Sequence, residues 1–296
     1  MKKLKNIPIL KNDGFKAIMA YYDPKEYSKK NINAFYIHGL SDDTYELKMP
    51  LPPHRQSHHS LILVTKGTLV ASSGFDEYTI EENSMIVVPA GQITSLAFMS
   101  DDIEGFYLHF ISNYLFYKED LDFSDWLIQP VLKFEKTESE HLVALLKRMQ
   151  NLNEIETNEP IIKLYLATFL AEMKQSIDFS TRSNLPAHER ITIGFKKLLN
   201  YNIAKHHSVS FYASELNVTP NHLNKSVRLT VNKSASALID ELIILEAKVL
   251  MQKSNMTVQE VALETGFEDM SYFGRFFKKH TGYTPLEYRK KIELSE

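Results

Sequence analysis

The chain has no cysteine among its 296 residues. This absence excludes disulfide bonds, cysteine-ligated zinc sites and cysteine nucleophiles, and it favours a reducing compartment. Long apolar runs are also missing. The opening residues, MKKLKNIPILKNDGF, are basic but lack the apolar stretch of a signal peptide, and no later segment approaches the ~20 apolar residues of a membrane span. We therefore predict a cytoplasmic protein that has no membrane partner.

A strong net charge is lacking as well, but the charges are segregated along the chain. The formal net charge is −3. Residues 190–296 contain 15 Lys and Arg against 11 Asp and Glu, which gives +4, and the remaining residues carry −7. A basic C-terminal part on an acidic body is typical of a module that binds a polyanion. The length and the 44% hydrophobic content suit two domains with buried cores.

The first 136 residues have the pattern of β-strands. Short apolar and β-branched segments between residues 60 and 98 are separated by turn signals such as Lys66-Gly67 and Ser73-Gly74. Regularly spaced turns of this kind predict an antiparallel barrel or sandwich at residues 1–136.

The hydrophobic period then changes to that of helices. Thr137 and Glu140 have the spacing of a capping box, and Pro160 is a favourable first residue for a second helix. We predict a helical pair at residues 137–178, which either packs on the strands or forms part of a dimer interface. A linker is predicted at residues 179–189, where the periodicity is lost.

Residues 190–296 contain closely spaced helical patterns that include a helix-turn-helix. In the segment MTVQEVALETGFEDMSYFGRFFKKHTGYTP, Thr257 and Glu260 form a capping box, Gly266 permits a tight turn, and Asp269 caps a second helix. One face of this helix is predicted to dock on the protein, through Phe273, Phe276, Phe277 and His280. The opposite face is left for a groove in a partner and carries Ser271, Gly274, Arg275 and Lys278.

The same arrangement occurs earlier, in the segment VSFYASELNVTPNHLNKSVRLTVNKSAS. Asn217 corresponds to Gly266 at an offset of 49, and Lys225 corresponds to Arg275 at an offset of 50. Two such units joined by one long helix would present two recognition helices about one DNA turn apart, ~34 Å, on one face of a duplex.

The C-terminal segment, from about residue 190 to 292, resembles the DNA-binding domain of AraC/XylS-type transcription regulators. The residues that carry this resemblance are Ala262, Gly266, Phe267, Asp269, Ser271, Tyr272, Phe273, Phe276, Phe277, Lys278, Gly282, Thr284, Pro285, Tyr288 and Arg289. The strand-rich half resembles, more loosely, the cupin-like sensor barrel of such regulators. The resemblance implies an α+β protein: a cupin-like antiparallel β-barrel with flanking helices, then an all-α domain at residues 190–296 of two helix-turn-helix units joined by a long linker helix.

The resemblance also implies partners and contact residues. It favours a homodimeric activator that binds double-stranded DNA, responds to a small-molecule effector and contacts RNA polymerase. Base contacts are implied for Asn221, Asn224 and Lys225 in the first recognition helix and for Met270, Ser271 and Arg275 in the second. Asn pairs with adenine, Arg or Lys with guanine, and Met touches the thymine methyl group. Phosphate contacts are expected from Arg228, Lys278 and Lys279.

Three residues depart from the family pattern. Leu242 stands in the linker helix where the family usually has an arginine that ties the two units together. Val227 replaces a common phenylalanine, and Asn232 replaces a common glycine. These departures suggest a more loosely held first unit. We hypothesise that the second unit supplies most of the affinity only if Leu242 makes the linker helix less rigid.

Histidines in the segment HRQSHH, residues 54–59, raise the question of a metal site in the N-terminal half. A metal-binding barrel would need a second histidine where Thr94 stands. We therefore predict no metal, no cofactor and no catalytic residue, and an effector pocket to which His54, His58, Tyr78 and His109 contribute. Two alternatives remain: a metal-dependent cupin enzyme with a DNA-binding tail, and a DNA binder that needs no ligand.

Overall fold

The computed structural model describes residues 34–41, 49–55, 58–115, 123–127, 129–153, 158–175, 185–252 and 256–293. These residues fall into two compact units, one with most of the strands and one with the helices from Leu185 onward. Residues 1–33 and residues 179–184 of the predicted linker lie outside the described ranges.

Two antiparallel sheets make up the strand-rich part. The first has the strand order β1-β8-β3-β6-β9 and the second the order β2-β7-β4-β5. The described strands are β1 Phe35–Gly39, β2 Leu51–Arg55, β3 His59–Lys66, β4 Leu69–Ser73, β5 Asp76–Ile80, β6 Ser84–Val88, β7 Ile93–Met99, β8 Glu104–Phe110 and β9 Val131–Lys133. Two short 3₁₀ helices follow β8, at Ser112–Tyr114 and Phe123–Leu127.

The predicted α+β class is confirmed, but within the described residues the strands form two sheets and no closed barrel. The chain passes from one sheet to the other after β3, at Gly67, where φ is +83°. As a result β3 pairs with β6 and β8, whereas β4 pairs with β5 and β7. A barrel and a sandwich both bury one face of each strand, so alternating apolar residues do not distinguish them.

Both faces of the first sheet are covered by apolar side chains. On β3, Leu61 and Leu63 belong to a core that also includes residues of two helices, α1 (Lys136–Leu152) and α2 (Glu159–Gln175). Ile62 and Val64 belong to a second core with residues of β4 and β5. The helical pair therefore packs on the sheet, which is one of the two roles predicted for it.

The start of α1 differs from the sequence prediction. The helix begins at Lys136, and the carboxylate of Glu138 accepts a hydrogen bond from the backbone N–H of Glu135 at 2.9 Å. The predicted box of Thr137 and Glu140 is therefore wrong by two residues, because a glutamate three positions after the N-cap stands in both registers.

Seven helices follow Leu185 in the described residues: α3 Ala187–Asn202, α4 Val209–Glu215, α5 Pro220–Val231, α6 Ala235–Met251, α7 Val258–Glu264, α8 Met270–Thr281 and α9 Pro285–Glu293. The long helix α6 contributes a broad apolar surface to this unit, and Leu242 within it is only 5% exposed. Within the described ranges, no helix combines the length and the apolar character that crossing a membrane requires.

Candidate nucleic-acid interface

The first helix-turn-helix unit consists of α4 and α5, and each helix has its own cap. The Ser208 hydroxyl accepts a hydrogen bond from the N–H of Phe211 at 3.3 Å, and the Thr219 hydroxyl accepts one from His222 at 3.1 Å. These side chains satisfy backbone donors that have no partner within the helix. Pro220 then occupies the first position of α5, where a missing N–H costs nothing.

The second unit consists of α7 and α8 and has the predicted caps. The Glu260 carboxylate accepts hydrogen bonds from the Thr257 N–H at 2.6 Å and from its hydroxyl at 2.8 Å, which hold the pKa of Glu260 below its usual value. The Asp269 carboxylate accepts from the N–H groups of Ser271 at 2.7 Å and Tyr272 at 3.1 Å. Both predicted N-termini are confirmed.

The turns of the two units share one backbone geometry. Asn217 and Gly266 both have positive φ, +53° and +82°. The Val218 N–H donates to the Ala213 carbonyl at 2.9 Å, and the corresponding bond in the second unit, between Phe267 and the carbonyl 5 residues earlier, is 2.8 Å. The repeat seen in the sequence is therefore a repeat of structure.

Glycine is required at position 266 both because neighbouring atoms leave no room for a side chain and because the backbone has a positive φ. A Cβ atom there would lie 2.6 Å from the backbone oxygen of Ala204 and 2.8 Å from Nε2 of His207. The left-handed backbone is also costly for residues other than Gly, Asn and Asp. No side chain fits at Gly266 unless the backbone at Ala204, between α3 and α4, moves.

Each recognition helix buries one apolar face. Leu223 and Val227 of α5 and Phe273 and Phe277 of α8 are fully buried. Phe276 is half-buried, its ring centroid 5.2 Å from that of Phe267. The predicted docking face of α8 is thus formed mainly by Phe273 and Phe277. The side chain of His280, also predicted on that face, is 23% exposed; its ring centroid lies 4.6 Å from that of Phe276, and its Nε2 lies 3.6 Å from a carboxylate oxygen of Asp240 on α6.

The opposite faces of both helices are exposed and mainly polar. On α5 the exposed side chains predicted to contact DNA are Asn221, Lys225 and Arg228, and on α8 they are Met270, Ser271, Arg275, Lys278 and Lys279. Two further residues lie at equivalent positions on these faces: His222 and Tyr272, the latter 54% exposed. The 50-residue offset that pairs Lys225 with Arg275 also pairs His222 with Tyr272. The sequence repeat could therefore have identified these two residues as part of the exposed faces.

Asn224 differs from the other predicted base contacts because both of its polar groups are already bonded. It is half-buried. Its Oδ1 accepts a hydrogen bond from the N–H of Ala235 at 3.0 Å, and its Nδ2 donates to the carbonyl of Pro220 at 3.2 Å. Asn221, three residues earlier, is exposed on the same helix.

Leu242 is accommodated by the core of this unit. Its neighbours along α6, among them Leu238, Ile239 and Ile243, are buried too. An apolar side chain in this setting contributes burial energy, whereas an arginine there would need a partner for its charge. The structure thus gives no sign of a loosened linker helix at this residue.

The structure brings together two of the predicted effector-pocket residues. The ring centroids of His58 and His109 are 4.6 Å apart, and Nδ1 of His109 lies 3.1 Å from the Tyr107 hydroxyl. Tyr78 lies on β5 against the second apolar core, and burial, followed by the charge of Asp76, raises its pKa to about 12.

His54 and Thr94 have bonds of their own. On β2, Nδ1 of His54 bonds the Pro52 carbonyl at 3.0 Å, and burial lowers the pKa of this histidine. The buried Thr94, where a metal-binding barrel would need histidine, donates its hydroxyl to the Ser72 carbonyl at 2.6 Å. In the part of the chain that the structure describes, no group of three or more His, Asp or Glu side chains is arranged to hold a metal ion.

Comparison with known proteins points to the same C-terminal region. Residues 212–291 match the helix-turn-helix domain family. The chain is 23% identical over 150 residues to the uncharacterized HTH-type transcriptional regulator YpdC of Escherichia coli, a match that covers 51% of this chain and 53% of that protein. Thus the chain spans about half the length of this relative.

Two other similarities extend over more of the chain. The arabinose operon regulatory protein of Salmonella typhimurium is 19% identical over 241 residues, which cover 79% of this chain and 84% of that protein. A crystal structure of ToxT from Vibrio cholerae aligns with 88% of this chain and 98% of its own, at 16% identity and a TM-score of 0.41.

Proposed function

From the AraC-type helix-turn-helix domain at its C-terminus, we propose that this chain is a sequence-specific DNA-binding transcription regulator. The observation that supports it most directly is the repeated unit. Both units have the same turn geometry, both bury the apolar face of their second helix, and both leave a polar and cationic face exposed. A recognition helix needs this division, because it must dock on its own domain and enter the major groove at once.

Distinct roles follow from the chemistry of the exposed side chains. We assign base contacts to Asn221 and Lys225 on α5 and, on α8, to Arg275 with Met270 and Ser271 beside it. Asn reads adenine and Arg reads guanine through two parallel hydrogen bonds. Phosphate contacts are assigned to Arg228, Lys278 and Lys279, which add affinity and salt dependence but no sequence information.

Selection from random DNA duplexes tests this assignment. The wild type should enrich one motif with two contacted segments about one turn apart, ~34 Å. Arg275→Ala should relax the preference at one base pair, by roughly 5- to 150-fold for a loss of about 1–3 kcal/mol. Arg275→Lys is the matched control, since it keeps the charge and loses the planar two-bond contact. Binding that shows no sequence preference would contradict the proposal.

A small-molecule effector is the second part of the proposal. His58 and His109, whose ring centroids lie 4.6 Å apart in the N-terminal unit, are the central candidates for its pocket, and His54 and Tyr78 remain predicted contributors. We further propose that the protein acts in the cytoplasm as a homodimer, and as an activator that contacts RNA polymerase. Ligand binding would favour one DNA-binding arrangement over another.

Thermal unfolding in the presence of candidate compounds tests the effector. A ligand at 100 times its Kd stabilises the folded state by about 2.7 kcal/mol, which is readily measured as a rise in Tm. The same compound should change the DNA affinity of the wild type. His109→Ala should abolish both effects, while Arg275→Ala should abolish neither. A DNA binder that needs no ligand would show no such rise with any compound.

A further inference from the structure

We propose that Asn224 is a positioning residue, which fixes recognition helix α5 to the first turn of α6, and that it does not read a base. This inference rests on the proposed DNA-binding function. It separates Asn224 from Asn221 and Lys225 on the same helix, whose side chains are exposed.

The hydrogen bonds of Asn224 carry the argument. Ala235 is the first residue of α6, and its N–H is one of the donors that a helix N-terminus leaves without an internal partner. Ala235 is completely buried, so water does not serve this donor, and Oδ1 of Asn224 accepts its hydrogen bond. The Asn224 amide nitrogen is held by the Pro220 carbonyl.

Adenine readout by Asn224 would compete with both of these bonds, because the half-buried amide would have to turn its oxygen and its nitrogen towards the base. A bidentate contact with adenine uses the amide oxygen and the amide nitrogen together. An amide that turned away from Ala235 would leave the Ala235 N–H buried with no acceptor, which is unfavourable. The folded structure therefore opposes a base contact at this position and favours a fixed angle between α5 and α6.

The second unit gives an independent comparison at the two corresponding positions. At the 50-residue offset, Ala235 corresponds to Pro285, the first residue of α9, and Asn224 corresponds to Gly274. Proline has no N–H. An acceptor is thus not required in the second unit, and Gly274 supplies none. A Cβ atom at Gly274 would meet nothing within 4 Å, so lack of space is not the reason for the glycine. The donor and its acceptor are present together in one unit and absent together in the other.

Thermal unfolding of the full chain tests the bond, with variants copied from the second unit. Asn224→Ala should lower the Tm of the helical unit by about 4–8 °C, the shift expected when a domain of this size loses one buried bond. Asn224→Asp keeps an acceptor for the Ala235 N–H and should stay closer to wild type. In an Ala235→Pro background, Asn224→Ala should cause little further loss. Asn221→Ala is the matched control and should leave the Tm unchanged.

Duplex selection well below the Tm tests the positioning role separately from stability. Asn224→Ala should weaken binding to all duplexes by a common factor, roughly tenfold, and keep the wild-type base preferences, whereas Asn221→Ala should relax one base pair. The inference is overturned if Asn224→Ala leaves the Tm unchanged, if its effect is the same in the Ala235→Pro background, or if it relaxes one base pair. Failure of the wild type to select any motif would overturn the proposed function, and the positioning role with it, even where the Tm results establish the bond.

Discussion

Acidification should destabilise the N-terminal unit through His59, whose ring is held in the neutral form. Nδ1 accepts a hydrogen bond from the Ala90 N–H at 3.2 Å, and Nε2 donates to the Ser112 hydroxyl at 2.8 Å. The ring also stacks on Phe123, with centroids 4.1 Å apart. Burial, followed by the charge of His58, lowers the pKa of His59 to about 4. Protonation of Nδ1 would break the bond from Ala90.

The size and direction of the effect follow from the two pKa values. An unfolded histidine titrates near 6.5, so below that pH the unfolded state binds a proton that the folded state does not bind until about pH 4. The stabilisation is therefore complete above pH 6.5 and is lost as the pH falls towards 4. Between pH 7 and pH 5 the free energy of unfolding should fall by about 2 kcal/mol from this group alone.

Tryptophan fluorescence during urea unfolding measures this loss. Trp126 is the single tryptophan of the sequence, it is buried, and its ring centroid lies 4.8 Å from that of Phe123. With a slope of about 2 kcal/mol per molar urea, the midpoint should fall by roughly 1 M between pH 7 and pH 5. His59→Gln should flatten this dependence, whereas His141→Gln on the exposed side of α1 should keep it. The reasoning is refuted if the wild-type midpoint does not move between pH 7 and pH 5. It is also refuted if the midpoint of His59→Gln depends on pH as strongly as that of the wild type.

Three further predictions concern the helical unit, and thermal unfolding checks each of them. Leu242→Arg should destabilise the helical unit by at least ~3 kcal/mol, because the substitution buries an unpaired charge. Leu242→Met, the control, should cost less than ~1.5 kcal/mol. An arginine variant as stable as the wild type would show that this site opens to solvent. Asp269→Ala should cost about 1 kcal/mol through loss of the α8 cap, and Asp269→Ser should restore most of it; equal stability of both variants would argue against capping. Gly274→Ala should add about 0.5–1 kcal/mol, since the new methyl group meets no neighbour; a loss would mean that α8 packs more closely here.

Features that depend on nearby residues could be predicted from the sequence. The capping box of Thr257 and Glu260 and the Asp269 cap each lie within four residues, and both are present in the structure. The turn at Gly266 could be identified because few residues adopt positive φ. The register of the capping box at the start of α1 could not be predicted from the sequence, since Glu138 and Glu140 both stand where an acidic residue is favourable.

Features that depend on distant partners could not be predicted in this way. The division into two sheets depends on pairings such as β3 with β8, far apart along the chain, and one-dimensional alternation carries no information about them. The bond from Asn224 to Ala235 joins two helices. From residue type alone, an asparagine on a recognition helix suggests a base contact with adenine. Comparison of the two units would have revealed the alternative, because Pro285 marks the position where no acceptor is needed.

The two units should differ in charge more than in rigidity. The buried Leu242 removes one reason for expecting a looser first unit, since α6 is well packed at that residue. A difference in electrostatics remains. Lys279 of α8 corresponds at the 50-residue offset to Leu229 of α5, which is 62% exposed. Each phosphate contact changes the slope of log affinity against log salt by about 0.9. The second unit should therefore carry the larger share of the salt dependence.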